Sequence, residues 1–330
     1  MSVLAIPPAL RARLSDLRIA SRRNAGGDGL GQHASRSRGA GLEFAQYRAY
    51  EPGDEPRRID WKLYARSDRY FVREAERDSP LDLWLLLDAT ASMRQADLAQ
   101  PGYTKFDAAR LLAACAIEIA LRQGDRFGVI VIAGSTPLAI PLGAGARHRD
   151  RCLLELSRVQ PAGAWPQGST LHAAGARIAL HALVLMPSDF FDEAAFDLAR
   201  RLAAAGREVL TVQILAADER DFPFTGGRRF LDPESNAQRR VEAATVRAEY
   251  LARFAAARAK LAKDCTALGI RHAQYVLDEP LDVPLRALFG SANGLKPPPS
   301  RGRLEGDGVD LRPSNTIPTQ TFPLKGRASK

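Results

Sequence analysis

The chain has 330 residues, of which 45% are hydrophobic and 26% are charged, with 26 glycines and 21 prolines. This composition is ordinary for a globular protein and excludes a wholly disordered or a collagen-like chain. No apolar stretch is long enough to cross a membrane, and the first residues lack the basic start of a secretory signal. Three widely spaced cysteines, Cys115, Cys152 and Cys265, argue against a disulfide framework and predict a cytoplasmic location.

The net charge of +9 is concentrated at the two ends of the chain. Residues 1–42 hold seven arginines and two aspartates, and residues 291–330 hold seven basic and three acidic residues. The remainder is therefore neutral. The basic ends are interpreted either as solubilising tails or as a weak electrostatic contact with an acidic partner, a membrane surface or nucleic acid.

Between these ends, nearly continuous apolar runs alternate with runs of helical spacing. This alternation predicts an α/β fold: one doubly wound, mainly parallel sheet of about five strands flanked by helices. The predicted strands are 81–88, 126–133, 136–141, 181–187, 208–215 and 272–277, with a hairpin at 222–236. The predicted helices are 105–122, 147–157, 169–178, 192–204, 239–268 and 281–289.

Composition divides the chain into four parts. Residues 1–42 are a basic segment with a flexible Gly/Ser/Arg-rich connector, and residues 43–80 are a small N-terminal module without a clear helical period. Residues 81–290 form the sheet domain. Residues 291–330 are a basic, Pro/Gly-rich tail that we expect to be disordered.

Carboxylates and hydroxyls follow two predicted strands and open one predicted helix. The first strand is followed by DATAS, the strand at 181–187 by SD, and the helix at 169–178 opens with ST. Ligands of such sheets bind beyond the carboxyl ends of the strands, so these loops are expected to meet at one edge. An all-oxygen set suits a hard cation, Mg²⁺ or Mn²⁺, and the absence of His and Cys argues against zinc. The predicted ligands are Asp88, Thr90, Ser92, Thr170 and Asp189.

Each of these residues also has a structural interpretation when it is taken alone. Asp88 suits a turn or a helix N-cap, Thr170 suits a helix cap, and Asp189 can cap the helix that follows. The prediction of a metal site depends on their joint occurrence in this order.

The constellation resembles the metal-ion-dependent adhesion site of von Willebrand factor A-like domains. The segment GLEFAQYRAYEPGDEPRRIDWKLYAR further resembles the signature of the bacterial family called domain of unknown function 58, and the likeness covers about residues 35–290. Thr90 stands where that family most often has serine, and Gln46 stands where an acidic residue is usual. The signature match runs through Glu43, Phe44, Arg48, Tyr50, Pro52, Gly53, Asp54, Arg57, Ile59, Asp60, Trp61, Ala65 and Arg66.

The signature residues of the N-terminal module leave two interpretations open. Arg57, Arg58, Asp60, Trp61 and Arg66 form either a buried Arg–Asp network capped by the indole, or a face that recognises a partner, because Trp and Arg are frequent interface anchors.

Three functions are weighed on these observations. The resemblance implies a non-enzymatic binding protein in which the metal receives an acidic residue from a partner, a MoxR-type AAA+ ATPase, in a chaperone-like or maturation system. The alternative is a Mg²⁺-dependent hydrolase acting on phosphate esters; no general base or phosphate-binding cluster is evident at the strand ends. A nucleic-acid binder acting through the basic ends is disfavoured by the low aromatic content of 7%.

Overall fold

The computed structural model describes residues 4–21, 44–50, 59–75, 80–134, 137–166, 169–231, 237–289 and 320–321. Its centre is a six-stranded sheet with the order β10-β7-β6-β3-β4-β5. The six strands are β3 (Asp82–Asp88), β4 (Arg126–Ile132), β5 (Leu138–Gly143), β6 (Leu183–Ser188), β7 (Glu208–Leu215) and β10 (Arg271–Val276). Five of them run parallel, and β5 is an antiparallel edge strand that contains Pro141. The predicted doubly wound α/β fold is confirmed.

Helices cover both faces of this sheet because its central strands are apolar on both sides. Leu85 and Leu87 of β3 belong to one core and Trp84 and Leu86 to the other. The described helices are α1 (Pro8–Arg13), α2 (Trp61–Ser67), α3 (Lys105–Gln123), α4 (Ala146–Arg158), α5 (Ser169–Ala176), α6 (Glu193–Ala204), α7 (Ala217–Asp221), α8 (Ala243–Ala267) and α9 (Asp282–Phe289).

The central helix α3 lies in the first core and has strong end signals. Thr104 caps its first turn: the hydroxyl accepts from the Asp107 N–H, and the Asp107 carboxylate accepts from the Thr104 N–H. This reciprocal pair satisfies two N–H groups that the helix leaves without partners. Gly124 ends the helix with φ of 77°, which a glycine adopts without strain.

The long helix predicted at 239–268 is shorter in the structure. Residues Gln238–Glu242 form strand β9, which pairs antiparallel with β8 (Gly227–Leu231), and α8 begins only at Ala243. The hydrogen bonds of the hairpin outweigh the helix propensity of this stretch, QRRVE, in which four of the five residues are good helix formers. A hairpin was predicted at 222–236, and the observed hairpin lies further along the chain, at 227–242; its turn, 232–236, lies outside the described residues. Gln320–Thr321, within the tail predicted to be disordered, form strand β11 beside β8.

The beginning of the basic N-terminal segment packs into the sheet domain. Its apolar side chains are buried in the core that contains α3, and the Ile19 backbone exchanges two hydrogen bonds with the Gln123 side chain. The Ser21 hydroxyl donates to Glu208 at the start of β7 over 2.5 Å. The sequence analysis treated this stretch as an exposed flank. The connector that follows lies outside the described residues. The buried apolar residues are Ile6, Leu10, Leu14, Leu17 and Ile19.

The N-terminal module consists of β1 (Phe44–Ala49), α2 and β2 (Phe71–Ala75), with β1 and β2 paired antiparallel. Asp60 is the N-cap of α2 and accepts from the N–H groups of Lys62 and Leu63. Trp61 does not lie buried over this module, because it is 58% exposed, whereas the Arg–Asp network itself stays a prediction. Arg57 and Arg58 lie outside the described residues.

Among the helices in the described part of the chain, none combines the length and the apolar composition that crossing a bilayer requires.

Candidate functional site

The first predicted loop folds into a buried cluster of one carboxylate and two hydroxyls. Asp88 is the last residue of β3, and its Oδ1 accepts hydrogen bonds from the Thr90 N–H (2.9 Å) and the Thr90 hydroxyl (2.7 Å). The Thr90 and Ser92 hydroxyl oxygens are 3.1 Å apart. A 3₁₀ turn over Ala91–Arg94 places Ser92 beside Thr90. All three side chains are buried.

The end of the neighbouring strand completes the surroundings of Asp88. β6 ends at Ser188, whose hydroxyl donates to the Asp88 Oδ2 over 2.6 Å. The Trp165 indole N–H donates to the same oxygen over 3.2 Å. Because β3 and β6 are parallel neighbours, their carboxyl ends meet at this edge, as the sequence analysis expected. Asp88 therefore accepts four hydrogen bonds.

Asp189 follows directly and joins a different set of partners. Its Oδ2 accepts from the Lys105 ammonium over 3.1 Å, and its Oδ1 accepts from the Phe191 N–H over 3.2 Å. The next residue, Phe190, has φ of 55°, and its N–H donates to the Ser188 hydroxyl. This left-handed turn redirects the chain immediately after the carboxylate.

Lys105 connects Asp189 to a third carboxylate. This lysine, in the first turn of α3, is 1% exposed, and its ammonium also donates to Glu219 over 2.8 Å. Glu219 lies in α7, the short helix after β7, where its other oxygen accepts from the Ala216 N–H. The ammonium lies 4.5 Å from the centroid of the Phe191 ring. The network thus links the carboxyl ends of β6 and β7 to the start of α3.

The sequence analysis missed Lys105 and Glu219. Lysine in the first turn of a helix ordinarily lies in solvent, and the partners of Lys105 are 84 and 114 residues away in sequence. The position of Glu219 in the sequence was the one available indication. Glu219 lies just beyond the predicted strand at 208–215, the location that selected the other candidate residues.

The electrostatics of the site are those of buried carboxylates with too little positive charge. Burial, together with the negative charge of Asp189, raises the pKa of Asp88 to about 7, although hydrogen bonds from Ser188 and Thr90 oppose the shift. Burial alone would lower the pKa of Lys105, but Glu219 and Asp189 raise it above its ordinary value, so the ammonium stays charged.

Thr170 is the remaining predicted ligand. Its backbone lies in the first turn of α5, the helix that was expected to begin here. Its side chain lies outside the described residues, so its part in the metal site stays a prediction.

The oxygen atoms of this cluster are the type of ligand that a hard cation prefers. Asp88, Thr90 and Ser92 present only oxygen atoms to one another, and Mg²⁺ and Mn²⁺ prefer oxygen ligands. If ionised, Asp88, Asp189, Glu219 and Lys105 together carry a formal charge of −2, which a divalent cation would balance. Among the described residues no group of three or more His, Cys, Asp and Glu side chains has metal-binding geometry, so hydroxyl groups would have to contribute.

Two mycobacterial proteins match most of this chain. The Mycobacterium tuberculosis protein described as "Uncharacterized protein Rv1480" is 28% identical over 266 residues, which cover 79% of this chain and 83% of that protein. The Mycobacterium bovis protein "Uncharacterized protein Mb1516" matches equally.

Three solved structures are similar at low identity. The protein BatB from Bacteroides thetaiotaomicron is 13% identical with a TM-score of 0.38, covering 62% of this chain and 94% of that one. An aerotolerance-related membrane protein from Bacteroides fragilis is 15% identical with a TM-score of 0.41, covering 63% and 96%. The SpRpn10 VWA domain is 11% identical with a TM-score of 0.37, covering 63% and 95%.

The family match confirms the resemblance from which the sequence analysis drew its expectations. The model described as "Protein of unknown function DUF58" matches residues 46–260, a span that includes most of the N-terminal module, β3 to β9 and most of α8. The matched span is about two thirds of the chain, so the chain belongs to the DUF58 family.

Proposed function

We propose that this chain is a non-enzymatic protein-binding module that holds Mg²⁺ or Mn²⁺ and uses it to bind an acidic residue of a partner. The observation that carries the proposal is the buried cluster of Asp88, Thr90 and Ser92 at the carboxyl end of β3. Asp189 and Thr170 are the further proposed ligands. When bound, the ion would supply a positive charge that attracts a carboxylate.

The charge balance of the site supports a divalent ion. A buried carboxylate without a counter-charge is costly, and the pKa of Asp88, which burial and the neighbouring Asp189 raise to about 7, reflects that cost. Lys105 offsets one negative charge and leaves the formal −2 described above. A monovalent ion would leave part of this charge unbalanced.

The ligand set leaves room for a partner. Mg²⁺ takes about six oxygen ligands and usually retains waters, so the five proposed side chains do not complete its shell. A carboxylate from another protein can take a position that water would otherwise hold. The family resemblance suggests that this partner is a MoxR-type AAA+ ATPase in a chaperone-like or maturation system. We place the interaction in the cytoplasm, an assignment supported by three cysteines that are all free thiols.

The test measures binding of the full chain to the purified MoxR-type ATPase by biolayer interferometry, in Mg²⁺ and in EDTA. Asp88→Asn keeps the size of the side chain and removes its charge. Asp82→Asn is the matched control, because Asp82 lies at the opposite end of β3 in a partly exposed ion pair with Arg126. We expect binding in Mg²⁺ that is lost in EDTA and in Asp88→Asn but retained in Asp82→Asn.

Two results would overturn the proposal in different ways. Binding that survives both EDTA and Asp88→Asn removes the metal from the mechanism. Failure to bind the ATPase, while Mg²⁺ still raises the Tm of wild type and not of Asp88→Asn, keeps the metal site and rejects the partner.

A further inference from the structure

Four aromatic rings of the N-terminal module contact one another outside the main cores. Tyr64 stacks on Tyr70 with ring centroids 4.5 Å apart and planes at 10°, and Trp61 meets both rings edge-on at 6.1 and 6.4 Å. Tyr50 meets Tyr70 edge-on at 6.2 Å. We call Tyr50, Trp61, Tyr64 and Tyr70 the aromatic cluster.

The aromatic cluster is exposed although its rings are large. Trp61 is 58% exposed and Tyr70 is 47% exposed, and they are the only aromatic residues among the exposed large hydrophobic side chains of the described chain. None of the four rings belongs to a hydrophobic core of the described residues. Stacking therefore holds the rings in place, while their outer surfaces remain in water. Contiguous exposed apolar surface of this kind is typical of an interaction site.

Three basic side chains flank the aromatic cluster, against the two acidic ones of Asp60 and Asp68 at the ends of α2. Lys62 and Arg66 are four residues apart on α2 and therefore lie on the same face of the helix, adjacent to Trp61 in sequence. Arg69 follows the end of the helix. All three are exposed. In the part of the chain that the structure describes, none of the three forms an ion pair, while Asp60 is engaged in capping α2.

We propose that the aromatic cluster, with Lys62, Arg66 and Arg69, is a docking surface for an acidic, partly apolar segment of a partner protein. Exposed Trp, Tyr and Arg are the residue types that carry most binding energy at protein interfaces. The unpaired cations select for an acidic segment, and the rings provide the apolar contact.

Nucleic acid fits this surface less well. The face of Tyr64 is covered by Tyr70, and Trp61 packs with its edge or face against both, so few ring faces are open for base stacking. Three cations also form a small patch compared with the basic stripes of nucleic-acid-binding proteins. An acidic peptide needs only one apolar anchor and a few countercharges.

This docking surface is additional to the candidate metal site and shares with the proposed function only the assumption that the chain binds proteins. Its test is done in EDTA, so that the metal site makes no contribution. Loss of the metal-dependent interaction would leave this inference standing, and failure of this inference would leave the metal site standing.

The experiment selects peptides that bind the full-length chain in EDTA from a random peptide display library. Peptides that also bind the variant Lys62→Glu/Arg66→Glu are removed by counter-selection. The enriched peptides are then labelled and titrated by fluorescence anisotropy against wild type, Trp61→Ala and the charge-reversed variant. Arg147→Glu/Arg151→Glu is the matched control, because these two exposed arginines have the same spacing on α4 and form no ion pair among the described residues. A single-stranded oligothymidine and anionic lipid vesicles serve as the other ligand classes.

We expect enriched peptides that combine acidic residues with apolar ones. Their affinity should fall about tenfold or more in Trp61→Ala and in Lys62→Glu/Arg66→Glu, remain unchanged in the control, and weaken with added salt. Trp61 emission should shift to the blue on binding, since Trp84 and Trp165 are already buried. The inference is overturned if the peptides show no acidic enrichment, if none depends on these residues, or if oligothymidine or vesicles bind the surface more tightly. Near-ultraviolet circular dichroism checks that each variant is folded.

Discussion

Lys105 is a fully buried cation whose charge is shared by two carboxylates. Its ammonium contacts Asp189 over 3.1 Å and Glu219 over 2.8 Å. Such a network is weak evidence for net stability, because removing three charged groups from water is expensive. Removing one partner is nevertheless strongly destabilising, because it leaves the other charged groups buried and unpaired. The network therefore constrains the relative positions of α3, β6 and α7.

The first prediction concerns Lys105→Met, which keeps an unbranched apolar stem and deletes the charge. In EDTA we expect the free energy of unfolding to fall by about 3–5 kcal/mol, because Asp189 and Glu219 remain buried without their counter-ion. Urea denaturation measures the change. Lys260→Met is the control: Lys260 is 77% exposed in its pair with Asp264, and such surface pairs contribute about 0–1 kcal/mol. Equal losses in the two variants would contradict the assigned role of Lys105.

His272 gives the second prediction. Its Nδ1 lies 2.9 Å from the Thr211 hydroxyl, its Nε2 has no hydrogen-bond partner among the described residues, and burial lowers its pKa to about 4. In the unfolded chain the pKa of this histidine is about 6.5, so the unfolded state binds the proton more readily than the folded state. The contribution of neutral His272 to the free energy of unfolding is therefore complete above pH 6.5 and is lost as the pH falls towards 4. The loss is up to about 3 kcal/mol.

His272→Gln should remove this loss. The measurement is the free energy of unfolding at pH 7.5 and at pH 4.5, and we expect the difference between the two to be smaller in the variant than in wild type. His181→Asn, a change at an exposed histidine, is the control and should retain the wild-type difference. An unchanged difference in His272→Gln would refute the assignment.

At the scale of elements, strand β4 contains a position where only glycine fits. A Cβ at Gly128 would lie 2.9 Å from the Trp84 ring and 3.1 Å from the backbone oxygen of Ile140. We expect Gly128→Ala to lower the free energy of unfolding by about 1–3 kcal/mol, because the indole or the strand must move. Gly102→Ala is the control, since a Cβ there meets nothing within 4 Å. Thermal unfolding that ranks the two variants equally would contradict this contact.

The central strands of the sheet were predictable because they are buried on both faces. A strand with no solvent-facing side is mostly apolar, as β3, β6 and β7 are, and such runs are conspicuous in a mixed sequence. Strand β9 was missed for the opposite reason. It is mostly exposed and Arg-rich, so only its pairing with β8 identifies it.

The candidate site was predictable to the extent that strand ends locate it. Asp88, Thr90 and Ser92 meet as expected, because a single turn after a buried strand brings them together. The role of Lys105 could not be predicted from the sequence, because its burial depends on two distant carboxylates, Asp189 just after β6 and Glu219 in α7. Local composition records which groups are present and does not record which distant group neutralises them.

At the scale of the whole molecule, the N-terminal segment is part of the sheet domain. Ile6, Leu10, Leu14 and Leu17 have the spacing of one helical face, and they are buried against the core of α3. Its basic residues face outward, which is why charge alone indicated a flank. Arg286 of α9 adds hydrogen bonds to Asp16. The segment should therefore unfold together with the sheet.

Leu14→Ala tests this coupling. We expect the free energy of unfolding of the whole chain to fall by about 2–5 kcal/mol in one cooperative transition, because the change leaves a cavity in a shared core. Ser15→Ala, next to it on the exposed side, should have little effect. Tryptophan fluorescence from the buried Trp84 reports on the sheet itself. A separate early transition that leaves this signal unchanged would show an independent segment.

Strand β5 has a consequence for how copies of this protein meet. The outer border of a sheet offers unpaired N–H and C=O groups to any extended chain, and this invites fibre-like stacking. Pro141 removes one N–H from that border, and the antiparallel pairing shifts register between Phe127 and Val129 of β4. Pairing of a foreign strand with β5 is thereby discouraged, so this side of the sheet is protected against edge-to-edge association of copies of the protein.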